Sequence, residues 1–293
     1  MKAWIVAACA AASLTATHAW AKAAPLPPAA VYTDPPADKA HPARSEVLHI
    51  PAGGVQVNGL AYIAAGAGPH PTVVLFHGLP GNEKNLDLAQ AIRRAGWNVV
   101  TVNYRGSWGS PGTFSFKGNL ADAKATLAYV RDPANAARLQ IEPTRLVVMG
   151  HSMGGWVTAV TAGEDPALLG AVLISAADMS RLATASPAER LATAADNMET
   201  LAGVTAQSMA DDMATLGPDE SFAHAAPGLA RRPLLVLSAD DGLAPMTDAL
   251  VADIRKRGGT RVTALHAATD HSWNTQRIRL ESEVIRWLQT LPK

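Results

Sequence analysis

Arg145-Leu146-Val147-Val148-Met149-Gly150-His151-Ser152-Met153-Gly154-Gly155 is an apolar run of strand type that ends in Gly-x-Ser-x-Gly. It leads directly into Trp156-Val157-Thr158-Ala159-Val160, so the order is strand, sharp turn, helix. A serine in such a turn sits in strained backbone, and the small glycines let strand and helix close around it. Its hydroxyl projects from the sheet edge with a helix N-terminus behind it. Ser152 is therefore the candidate nucleophile. The backbone N–H of Met153, at the helix start, is a candidate donor to a developing oxyanion.

The surrounding pattern fits this turn. Residues 46–50 and 55–63 flank Pro51-Ala52-Gly53-Gly54, an antiparallel hairpin signature. Buried strands and helices then alternate. Strands are expected at 72–76, 97–102, 146–149, 171–174, 234–237 and 262–265. Helices are expected at 84–95, 118–130 (ending near Pro133), 153–162, 245–257 and 275–288. Such alternation builds a mainly parallel sheet with helices on both faces. Residues 177–232 break the rhythm. They are Ala-rich and open a helix at Ser186-Pro187, with Ser as N-cap and Pro at the first position. They read as a small helical cap inserted between the sixth and seventh strands.

The first residues read as an export signal. Lys2 is followed by an apolar, Ala-rich stretch at 4–14, too short to span a bilayer, and Ala19-Trp20-Ala21 is an Ala-x-Ala cleavage site. A signal at 1–21, an extended Pro- and Ala-rich lead-in at 22–45 with little structure of its own, and a single domain at 46–293 are expected. The product would be exported, to the periplasm or the medium, with no stable membrane insertion after cleavage. Cys9 is the only cysteine and would leave with the signal, so no disulfide is expected. The chain's net charge is zero, and no basic stripe of the kind that binds nucleic acid is present. Neither a metal-ligand cluster nor a dinucleotide glycine fingerprint occurs, so no cofactor is implied.

A serine needs a base, and the base an orienting acid. His271, in Thr269-Asp270-His271-Ser272-Trp273, follows the last strand, where catalytic groups collect in open α/β sheets. His266 sits closer to the strand end and is the rival. The acid should follow the strand at 234–237, where Asp240 and Asp241 stand side by side; Asp178, after the sixth strand, is a more distant possibility.

The strand–turn–helix around Ser152 resembles the nucleophile elbow of the α/β-hydrolases, and the likeness runs over roughly 46–293. It implies that hydrolase fold, with an antiparallel hairpin leading into the sheet. The family's acid lies four residues before a proline, which implies Asp241 before Pro245 and leaves Asp240 to brace the loop. Phe76-His77-Gly78-Leu79-Pro80-Gly81 is similar to the family's His-Gly-x-x-Gly oxyanion loop, which implies the Leu79 N–H as second donor and His77 as a brace. Tyr104-Arg105-Gly106-Ser107-Trp108-Gly109-Ser110 resembles a segment of prolyl-oligopeptidase-type peptidases and related esterases, with Trp108 inserted. Arg105 should form a loop-organising ion pair. Trp108 and Phe114 are candidate pocket walls, as are Met198, Met209 and Met213, whose soft side chains suit an apolar substrate group. Serine at the elbow argues against a dehalogenase or a dienelactone-type hydrolase. The expected activity is hydrolysis of a carboxylic ester through an acyl-enzyme. A peptidase acting on short peptides is the alternative, and a non-catalytic binding protein on the same fold the third reading.

Overall fold

The computed structural model describes residues 25–292. The expected signal at 1–21 lies outside the described residues. A single eight-stranded sheet carries the fold: β1 (Arg44–Ala52), β2 (Val55–Ile63), β3 (His70–Phe76), β4 (Asn98–Val102), β5 (Ile141–His151), β6 (Gly170–Ile174), β7 (Leu234–Ala239) and β8 (Val262–Ala267). Their spatial order is β1-β2-β4-β3-β5-β6-β7-β8. The β1–β2 hairpin is antiparallel and β2 joins β4 antiparallel; every later pairing is parallel. This is the mainly parallel sheet that the alternation predicted, entered through the expected antiparallel hairpin.

The helices are α1 (Ala29–Tyr32), α2 (Leu86–Arg94), α3 (Phe116–Arg131), α4 (Pro133–Leu139), α5 (Met153–Glu164), α6 (Pro187–Ala195), α7 (Ala206–Ala214), α8 (Phe222–Leu229), α9 (Ala244–Lys256) and α10 (Arg277–Gln289). Successive strand residues point to opposite faces, so the sheet divides the core in two. Val74, Phe76, Val100 and Val148 face a layer that includes Trp156, Leu127 and Ile254. Val73, Leu75, Val99 and Val147 face Leu88, Ile92, Leu280 and Val284 of α2 and α10. Each such fully buried side chain contributes about 1.5–3 kcal/mol relative to exposure.

Glycine decides how closely α5 approaches the sheet. A Cβ on Gly154 would lie 2.2 Å from the Phe76 carbonyl oxygen, and one on Gly155 would lie 2.3 Å from Ala176 Cβ. Only glycine lets the helix that begins at Met153 sit this near the β3 terminus.

Some elements depart from the sequence expectation. Ser115 caps α3 by accepting from the Gly118 N–H, so the helix begins two residues early. It ends at Arg131, near Pro133 as expected, and a further helix absent from the sequence expectation follows at once. Asp132 accepts from the N–H groups of Ala134 and Asn135 and starts α4, with Pro133 in its first turn. In the lead-in, α1 is docked: Arg94 Nε donates to the Ala30 carbonyl at 2.6 Å, and Arg286 donates to Leu26 at 2.8 Å. Within 177–232, Ser186 forms the expected cap, with a full capping box to Glu189. The last helix there, α8, is not part of a separate cap. It packs on α5 so tightly that a Cβ on Gly228 would meet the Gly163 backbone. The inserted piece is therefore confined to the chain between β6 and α8.

Candidate active site

Ser152 stands between β5 and α5 with φ 59° and ψ −121°. A non-glycine residue with positive φ is sparsely populated and is held there by its surroundings. Here the Ser152 N–H donates to Ile174 at 2.9 Å, and its carbonyl accepts from Gly155 and Ala177. The side chain is half-buried and faces a cleft of about 160 Å³. Residues 78–83, His151, Ser152, His271 and Ser272 bound this cleft.

His271 follows β8, and its Nδ1 lies 2.8 Å from Asp241 Oδ2. Asp241 follows β7; its side chain is only 4% exposed. Burial by itself raises the Asp241 pKa. Donation from His271, from the Leu243 N–H and from the Ser175 hydroxyl outweighs burial and holds the carboxyl below its ordinary value. The Ser175 hydroxyl also accepts from the buried Trp273 indole N–H at 3.1 Å. Ser175 and Trp273 both have positive φ, 43° and 61°. The backbone thus takes uncommon conformations at the nucleophile and at two residues behind the acid.

Asp240 and His266 form the other pair, at 2.8 Å, and His266 Nδ1 lies 3.0 Å from the Ser238 hydroxyl. Both side chains are largely exposed, and neither bounds the cleft. Adjacent aspartates therefore point to different histidines. Asp178 serves another end: its carboxylate accepts from Ser180 and from the Phe222 N–H.

Leu79 bounds the same cleft as Ser152, and Gly78 lies so near that an added Cβ would stand 3.4 Å from Ser152 Oγ. The Leu79 and Met153 amides appear in none of the backbone hydrogen bonds of turns, loops and caps among the described residues. His77 is buried under this loop. Its Nδ1–H donates to the Gly78 carbonyl at 2.8 Å, and burial pushes its pKa down to about 4. The neutral ring braces the loop. Among the described residues Ser152 Oγ has no hydrogen-bond partner. Catalytic hydrogen bonds commonly close only in the substrate complex.

Trp108 lies beside the loop. Its indole N–H donates to the Pro80 carbonyl at 3.1 Å, and Lys84 Nζ sits 3.9 Å from the ring centre. Burial lowers the Lys84 pKa to about 8. Arg105 makes the expected ion pair, with buried Asp122 at 2.6 Å. Phe114 does not wall the cleft; it is buried edge-on against Phe116 at 5.4 Å. The methionines also depart from expectation. Met209 and Met213 are buried in the core from α7, Met198 packs against that core, and none bounds the cleft. Their soft side chains fill core space instead. The insertion reaches the site through Thr200: its hydroxyl donates to the Pro80 carbonyl at 2.7 Å, and its carbonyl accepts from the Trp108 N–H at 3.0 Å.

Two residues of the site carry no signal in the sequence. His151 occupies the variable position of Gly-x-Ser-x-Gly, and its Nε2–H donates to the His271 carbonyl at 2.8 Å. Arg277 donates to the Ser272 carbonyl at 2.9 Å while holding Asp87 and Asn85 at the start of α2. No group of three or more His, Cys, Asp or Glu placed to hold a metal ion occurs among the described residues.

The family model described as alpha/beta hydrolase fold matches residues 71–232. The uncharacterized protein Rv2307c of Mycobacterium tuberculosis is 28% identical over 133 residues, 45% of this chain and 46% of that protein. The chain spans about half the length, or less, of the curated relatives it matches. Among solved structures, a Pyrobaculum calidifontis esterase aligns with a TM-score of 0.64 at 23% identity, covering 86% of this chain and 87% of that one. A Mycobacterium tuberculosis puromycin-hydrolyzing peptidase aligns at 0.62 with 19% identity, covering 86% and 39%. At these identities both alignments speak to the fold.

Proposed function

Because the chain belongs to the alpha/beta hydrolase family, we propose that it is an exported serine hydrolase that cleaves carboxylic esters. The observation that carries this reading is the Asp241–His271 pair, 2.8 Å apart, with His271 opening on the same small cleft as Ser152 and Leu79. His271 takes the Ser152 proton as Oγ attacks the acyl carbon. Asp241 holds the imidazole and balances the imidazolium. The N–H groups of Leu79 and Met153 receive the oxyanion. Collapse expels the alkoxide, which takes the proton from His271. Water then repeats the sequence on the acyl-enzyme and releases the acid, returning Ser152 to its resting state. The residues at 177–221 serve substrate selection by buttressing the Pro80 and Trp108 loops. The Lys2 start and the Ala19-Trp20-Ala21 site support export, with the mature chain beginning at Lys22.

Fluorophosphonate labelling of the parent and of Ser152→Ala tests the nucleophile. Labelling and turnover should both vanish in the variant while its fold persists. Residual turnover above a few per cent, with contamination excluded, removes Ser152 from this role. Aryl esters assayed beside aminoacyl-anilides separate an esterase from a peptidase of short peptides, and the absence of any labelling points to a binding protein. Intact-mass measurement of protein from the native host tests export; a species that retains Cys9 refutes it.

A further inference from the structure

His271 reaches Asp241 through its ring, but its backbone is held from elsewhere. The loop at 268–276 belongs to no helix or strand, and its carbonyl at His271 accepts from His151 Nε2 at 2.8 Å. His151 is the last residue of β5, immediately before Ser152, and is 3% exposed. The two imidazole rings lie 4.6 Å apart, tilted by 45°. We propose that His151 is a positioning residue for the reaction. By donating Nε2–H to the His271 carbonyl, it sets the distance between the nucleophile turn and the base. This rests on the reading of Ser152 and His271 given above.

The chemistry of the pair is specific. A carbonyl only accepts, so His151 must carry its proton on Nε2. Burial, and then the neighbouring His271, push the His151 pKa down to about 4, so the ring remains neutral at ordinary pH. That matters because His271 becomes an imidazolium during turnover. A neutral donor holds its loop, whereas a second cation 4.6 Å away would oppose the charge as it forms. The charged and titratable groups facing His151 are His271, Arg277 and Asp241. A misplacement of about 1 Å at a reacting group can cost as much as ~10²-fold in rate.

Gln, Asn and Leu at position 151 make the test. The Gln amide nitrogen reaches the place of Nε2, the shorter Asn amide does not, and Leu offers no donor. The readouts are kcat and KM on an aryl acetate, with folding checked by near-UV circular dichroism. His151→Leu should lose roughly 10- to 100-fold in kcat with KM changed little, and His151→Gln should recover most of it while His151→Asn does not. Equal loss in folded Gln and Asn variants overturns the proposal, as does unchanged kcat in all three. If the Leu variant fails to fold, the Gln–Asn contrast still decides. Ser152→Ala, run in parallel, separates the two failures. An active Ser152→Ala removes the reading of the site. An inert Ser152→Ala beside a flat His151 series removes only the positioning role.

Discussion

Two aspartates, adjacent in sequence, offer a test in which one site serves as control for the other. Asp241 is nearly buried and bonds His271 at 2.8 Å, whereas Asp240 bonds His266 at the same distance with both partners half-exposed or more. Asparagine at either position preserves shape and removes the charge. At position 241 it leaves the imidazole without a carboxylate to fix its tautomer or balance the imidazolium. The established triad effect of this change is ~10⁴-fold in kcat, or ~5.4 kcal/mol of transition-state stabilisation. At position 240 an exposed pair is lost, worth roughly 0.2–1 kcal/mol of stability. Even if all of that reached the transition state, kcat would fall by about five-fold at most. The assay is initial-rate hydrolysis of an aryl acetate by both variants at matched folded concentration. Three or more orders of magnitude should separate them. If Asp240→Asn is the inactive variant, or if both remain within ten-fold of the parent, the assignment of the acid is wrong.

Acid should destabilise the protein early. His77 and His151 are buried and neutral, with pKa values pushed from 6.5 to about 4, so below 6.5 the unfolded chain binds protons that the fold refuses. Stability should therefore fall as pH drops from about 6.5 toward about 4, and a urea midpoint that is flat across that window contradicts the burial of these rings. Asp241, held below its ordinary value, adds stability above the unfolded carboxyl pKa of 3.8 that is lost only at lower pH. Gly154→Ala should lower the melting temperature sharply, because its Cβ would stand 2.2 Å from the Phe76 carbonyl oxygen and the backbone there has no room to retreat. The cost should be at or above the ~1–3 kcal/mol usual for overpacking, and an unshifted melting curve would show that α5 is free to slide.

The sheet was legible because each strand is a short apolar run and each helix a periodic one, and because Gly150, Gly154 and Gly155 bracket Ser152 in a pattern with a geometric meaning. Local chemistry also revealed the Ser186 cap, and the likeness of residues 76–81 to an oxyanion loop implied the place of His77. What escaped notice depends on contacts between distant residues. Nothing beside His151 in the sequence says that its ring meets a carbonyl 120 positions away. The uncommon backbone of Ser175 and Trp273 is equally silent, since neither is a glycine or an asparagine. Asp132-Pro133 was ambiguous in principle, as the same pair ends one helix and begins another. Met209 and Met213 misled for a related reason: composition records a soft side chain but not which way it faces.

Arg277 joins two regions that the chain holds far apart. Its guanidinium bonds Asp87 and Asn85 at the head of α2, and Ser272 next to the base. Neither side can fray without releasing the other. Parts of a protein coupled in this way open as one cooperative unit with a shared free energy. The amides near Asn85 and those near Ser272 should therefore exchange with solvent deuterium at a common opening cost, and substitution of Arg277 should split them into two independent populations. The head of α2 and the loop that carries the base would then behave as one hinged frame, with Arg277 at the start of the last helix as the link between its two sides.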